Sequence, residues 1–137
     1  MTLDKLYKMA ESSGIPVIDV PLKGISAMAA CINGKYAIAI DYTQVSSPED
    51  EKVKLAHELG HCITNSLYAH DAPHDYIRKQ EAIAKEWALN LLIPKSEMKE
   101  ALKEGCVEVW QLAEHFGVPE KYVETALQLH FNNSVNV

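Results

Sequence analysis

The stretch Lys54-Leu55-Ala56-His57-Glu58-Leu59-Gly60-His61-Cys62 contains His57-Glu58-x-x-His61. On an α-helix successive residues are about 100° apart, so the two histidines stand roughly 40° from each other and one turn apart. Two imidazoles so placed reach a single metal ion. Glu58 falls on the flank of the same arc, beside the metal rather than on it. A carboxylate there suits a general base acting on a water molecule held at the metal. The plain alternative is a pair of histidines on a solvated helix face.

The flanking residues favour the helix. Ser46-Ser47-Pro48-Glu49-Asp50-Glu51 is a well-formed helix start, with a serine cap, proline in the first position and acids in the first turn. It predicts a helix from Pro48 to about Tyr68. Leu55, Leu59, Cys62, Ile63 and Ser66 then share the side away from the histidines and face a core.

A chain of 137 residues fits one domain with a real hydrophobic core. Its 47% apolar and 23% charged residues are ordinary globular values. No apolar run approaches a membrane span, and the N-terminus lacks a basic region followed by an apolar stretch. The cytoplasm is the default expectation. The three cysteines, Cys31, Cys62 and Cys106, are odd in number and widely spaced, which is no disulfide framework. Cys62 is expected as a buried thiol. A net charge of −6 argues against a broad nucleic-acid footprint and leaves a protein partner or peptide substrate open.

Outward from the motif the chain reads as α+β and mostly helical. Residues 2–13 form an amphipathic helix closed by Gly14. Residues 15–21 form a short strand bounded by prolines, suited to a sheet edge. Residues 25–32 and 35–41 are two further strands joined by Asn33-Gly34, a strong hairpin signal. The result is a small, largely antiparallel three-stranded N-terminal sheet. A polar connection follows the motif helix, then a long helix over 75–93 that stops at Pro94. A short helix ends near Gly105, and residues 107–130 form a helical pair around Gly117-Val118-Pro119. One domain is expected over residues 1–131, with a frayed tail at 132–137.

A catalytic zinc site takes three protein ligands and leaves a position for water. Glu81, in Glu81-Ala82-Ile83-Ala84-Lys85-Glu86-Trp87-Ala88, fits the third place. Ala84 and Ala88 share its helical face and are small enough to let two helices come close. Glu86 lies about 140° around the helix from Glu81, so both cannot address one ion. Alone, Glu81 would read as a solvated carboxylate; beside the motif helix it is the favoured ligand.

These residues carry a resemblance. His57-Glu58-Leu59-Gly60-His61 followed by Glu81-x-x-Ala84-x-x-Trp87-Ala88-x-x-Leu91-Leu92-Ile93-Pro94 resembles the ImmA/IrrE family of zinc metallopeptidases. That family pairs H-E-x-x-H with E-x-x-A-x-x-F-A-x-x-L-L-x-P, and Trp87 stands where phenylalanine is usual. The resemblance covers most of the chain and implies a zincin-like fold. It implies one zinc ion per chain held by His57, His61 and Glu81, with Glu58 as the base of an endopeptidase. It also implies a protein substrate such as a transcriptional repressor of a mobile element or stress circuit. The oxyanion of the reaction calls for a further donor, and Tyr68, His70, His74 and Tyr76 in the connecting segment are the candidates.

Two other classes compete. Residues 109–123 resemble a helix-turn-helix, with Ala113 and Gly117 where close crossing needs small residues. A DNA-binding regulator needs basic groups on its second helix, yet 107–129 holds four glutamates and Lys121 alone. The segment therefore reads as a structural pair or a protein-docking surface. The other rival is a non-catalytic interaction module stiffened by its metal; Glu58 argues against it, because a structural site has no use for an adjacent base.

Overall fold

The computed structural model describes residues 1–132. Helix α1 spans Leu3–Ser12, its first turn capped by Thr2, whose hydroxyl accepts the Lys5 N–H at 3.2 Å. Leu6 and Ala10 form its buried stripe. Three strands follow: β1 (Val17–Asp19), β2 (Ala27–Ile32) and β3 (Lys35–Ile40). Asn33 (φ 53°) and Gly34 (φ 76°) both take positive φ, the two-residue turn that matches the twist of a hairpin.

The sheet order is β1-β3-β2, with β2 antiparallel to β3 and β1 parallel to it. The expected small three-stranded sheet is thus present, its hairpin antiparallel and its β1 edge parallel. Residues 20–26 cross the end of β3 to reach the far edge, and Asp41 pins that crossing. Its carboxylate accepts the Leu22 N–H at 3.0 Å, and its own N–H donates to the Ser26 carbonyl at 2.9 Å. Ile38 and Ile40 point from β3 into the core. Ile18, Met28 and Ile32 lie on the opposite, exposed face.

Helix α2 spans Pro48–Ile63 and packs on β2, β3 and α1. Ser47 is its cap, accepting the Asp50 N–H at 3.0 Å. Its end comes five residues before the expected Tyr68. The Thr64 hydroxyl takes the Gly60 carbonyl at 2.6 Å, and Asn65 turns left-handed at φ 53°. Leu55, Leu59 and Cys62 are buried as expected, whereas Ile63 is 46% exposed. Ser66 is buried too, but by the turn that follows the helix.

Helix α3 spans His74–Leu92. The chain divides into two compact units, Met1–Ala88 and the residues from Leu89 onward, with α3 running through the division. The second unit holds α4 (Lys95–Lys103), α5 (Val109–Phe116) and α6 (Glu120–Leu127). Gly117 (φ 66°) ends α5 in the left-handed conformation and turns the chain into α6. Leu112, Val123 and Ala126 are buried within this pair. A π-helical turn over Gln128–Asn132 follows, and His130 there donates from Nε2 to the Ile93 carbonyl at 2.6 Å. The remainder of the expected frayed tail, 133–137, lies outside the described residues. Among the described residues no helix is long and apolar enough to cross a membrane.

Candidate metal centre

Helix α2 carries His57, Glu58 and His61; α3 carries Glu81. What brings the two helices together is an absent side chain. A Cβ on Gly60 would lie 2.7 Å from the Ala84 carbonyl oxygen and 3.2 Å from the Ala84 Cα, so only glycine permits this approach. Ala84 is one turn beyond Glu81 on the same face of α3. The backbone contact therefore sets Glu81 opposite the histidines.

The ligating atoms of His57, His61 and Glu81 all lie within 4.8 Å of one another. His57 Nε2 stands 3.1 Å from Glu81 Oε1, and His61 Nε2 stands 2.7 Å from Glu81 Oε2. The second contact decides the chemistry. His61 Nδ1 faces the Ser66 carbonyl at 2.7 Å, and a carbonyl only accepts, so Nδ1 carries the hydrogen. In a neutral imidazole Nε2 then presents a lone pair, here directed at a carboxylate oxygen that also presents one. Only a proton or a cation reconciles the two. A metal ion shared by both imidazoles and the carboxylate does so at once, and two histidines with one glutamate is a donor set suited to catalytic zinc. The residues fit the ion.

Electrostatics point the same way. Burial pushes the Glu81 carboxyl up, but the Tyr68 hydroxyl and the two imidazoles outweigh it and hold the group below the ordinary glutamate range. Burial lowers the pKa of His57 against the opposing pull of Glu81, which favours the neutral, ligating imidazole. Glu58 lies beside the cluster, off the ligand arc. Burial pushes its pKa up to about 7, with Glu81 adding to the rise, His61 opposing it, and the Ala29 N–H donating to the carboxylate. A carboxylate whose pKa burial raises is able to take up a proton near neutrality. Cys62, one residue past His61, has its thiol raised to about 11 by burial and lies outside the His57–His61–Glu81 cluster.

A cavity of about 460 Å³ opens over these groups, and Ile25, Ala27, Met28 and Ala29 form its apolar wall. Tyr68 and His70 also line it. Of the four candidate donors, Tyr68 stands nearest the chemistry: its hydroxyl donates to Glu81 Oε2 at 2.9 Å and its ring lies edge-on to His61 at 6.0 Å. His74 and Tyr76 open α3 and do not line the cavity. Glu86 is exposed and outside the cluster, as its helical phase predicts.

Three contributors escaped the sequence reading. Ser66 and Ala29 act through backbone atoms, which leave no mark in side-chain patterns. Gly60 did leave one: a glycine inside a helix costs about 1 kcal/mol relative to alanine and implies a close contact.

Residues 10–128 match the family model of Peptidase M78, described as an IrrE N-terminal-like domain. No curated protein matches the chain.

Proposed function

This chain belongs to the Peptidase M78 family of IrrE-like proteins and is a zinc-dependent peptidase of that type, and from this premise we infer how its residues divide the work. His57, His61 and Glu81 hold the ion, and Glu58 is the general base. When bound there, zinc acts as a Lewis acid, acidifying water and polarising a carbonyl. Glu58 accepts the proton of the attacking water on its carboxylate and returns it to the departing amine. The Ala29 N–H donates to that carboxylate and tethers it to β2. Ser66 keeps His61 in the tautomer whose Nε2 is free to ligate.

The substrate is a protein segment in extended form. Strand β2 supports this: it is an edge strand of the sheet and supplies the cavity's apolar wall, so a passing strand meets apolar contacts together with outward main-chain groups other than the Ala29 N–H, which Glu58 takes. The target we propose is a regulatory protein, such as a repressor of a mobile element or stress circuit, cut inside the cytoplasm.

The observation that carries the reading is the lone-pair conflict at Glu81 beside a half-buried Glu58. It can be tested before the target is identified. Zinc-loaded wild type, the same protein with chelator, and Glu58→Gln are each incubated with a cell extract, and new protein N-termini are labelled and counted. The expected result is a small set of cuts made by wild type alone, with Glu58→Gln retaining its zinc. Equal cutting by Glu58→Gln removes Glu58 from the role of base.

A further inference from the structure

The 65–68 turn sits where the motif helix ends, and nothing in the H-E-x-x-H pattern accounts for its fold. Asn65 takes a left-handed conformation at φ 53°, which asparagine tolerates better than other non-glycine residues and which ends the helix. Tyr36 on β3 donates its hydroxyl to Asn65 Oδ1, tying the turn to the sheet. Ser66 follows, 1% exposed, its hydroxyl 2.6 Å from that of Thr64. The reversal carries the Ser66 carbonyl under His61 and the Tyr68 ring alongside it.

Each end of this turn touches a different ligand. The Ser66 carbonyl accepts from His61 Nδ1 at 2.7 Å, and the Tyr68 hydroxyl donates to Glu81 Oε2 at 2.9 Å. Glu81 needs such a partner. Its side chain is 40% exposed, it is flanked on α3 by the half-buried Gln80 and the exposed Ala82, and it has rotatable bonds that water would leave free. A hydroxyl donated to one carboxylate oxygen selects a single rotamer and loads that oxygen, leaving Oε1 as the stronger donor toward an ion. Ligands held by outer hydrogen bonds in this way typically lose about 10- to 100-fold in metal affinity when the partner is removed.

We propose that the 65–68 turn is the outer shell of the metal centre, with Tyr68 as the positioning residue for Glu81 and the Ser66 carbonyl as that for His61. The assignment rests on the zinc reading above and adds a role for residues outside both motifs. Tyr68 acts through Glu81; its contribution is to the ion's affinity and coordination.

Tyr68→Phe deletes only the hydroxyl. Zinc affinity is measured by competition with a chromophoric chelator for wild type, Tyr68→Phe, Glu81→Ala and the double variant, and the visible spectrum of each cobalt-loaded protein is recorded. Tyr68→Phe is expected to bind zinc about 10- to 100-fold more weakly, to show a changed cobalt spectrum, and to unfold at the wild-type temperature when metal-free. In the Glu81→Ala background the same change is expected to have no further effect, because the group that Tyr68 positions is gone. Tyr68→Phe binding zinc within about twofold of wild type overturns the proposal, and so does an undiminished loss in the Glu81→Ala background. A wild-type protein that takes up no zinc is a different failure, that of the zinc reading, and it shows before any variant is compared.

Discussion

Gly60 of the motif helix and Ala84 of the helix that carries Glu81 meet backbone to backbone, so close that a Cβ on Gly60 would stand 2.7 Å from the Ala84 carbonyl oxygen. Main-chain atoms cannot swing aside as a flexible side chain can, so any larger residue at position 60 must push the helices apart.

Gly60→Ala tests this directly. Alanine gains about 1 kcal/mol in helix propensity, and forced overpacking costs about 1–3 kcal/mol. Net stability should fall modestly, while zinc affinity should fall sharply, because Glu81 recedes with its helix. Urea unfolding of the metal-free protein and a zinc titration separate the two effects. Wild-type zinc affinity in the alanine variant would show that the close approach does not set the site.

The two glutamates of α3 provide an internal control. Glu81→Ala should release zinc under mild chelation, and Glu86→Ala, exposed and outside the cluster, should keep it. Metal analysis after dialysis distinguishes them. Zinc loss from the Glu86 variant instead would place the helical phase of α3 in error.

Much of this was legible in the sequence because helices and hairpins have local signatures. Ser47-Pro48 marked the start of the motif helix, Asn33-Gly34 the hairpin, and Pro94 the end of α3. Helical phase placed His57 and His61 on one arc and separated Glu81 from Glu86, while Glu81 as the third ligand rested on its small neighbours and on the family resemblance. Three features were not legible, each for a physical reason. The parallel pairing of β1 depends on a loop crossing pinned by Asp41, a contact between residues far apart in sequence. The early end of α2 left only a weak local mark, Asn65 as a left-handed cap; what places the stop there is the Thr64 hydroxyl donating to the Gly60 carbonyl and the Tyr36 hydroxyl, from β3, donating to Asn65. The groups around the ligands are partly backbone atoms, and no residue type announces a carbonyl.

The helical pair α5–α6 has the outline of a DNA reader without its charge. Residues 107–129 carry Glu108, Glu114, Glu120 and Glu124 against Lys121 alone, and the whole chain carries −6. Phosphate contacts drive duplex binding and make it fall steeply with salt. The purified protein is expected to show no salt-sensitive binding to duplex DNA at micromolar concentration. Tight, sequence-selective binding by Glu58→Gln, weakening with added salt, would make the protein a regulator first.

The central claim is that one metal ion resolves the meeting of His57, His61 and Glu81, and anomalous X-ray scattering at the zinc edge sees that ion directly. A crystal of the zinc-loaded protein should show one strong peak, about 2.0–2.2 Å from Nε2 of His57, Nε2 of His61 and a carboxylate oxygen of Glu81. Glu58 should stand next to it without ligating it. A zinc-loaded crystal with no peak there, and with Glu81 still bonded to both imidazoles, would contradict the account.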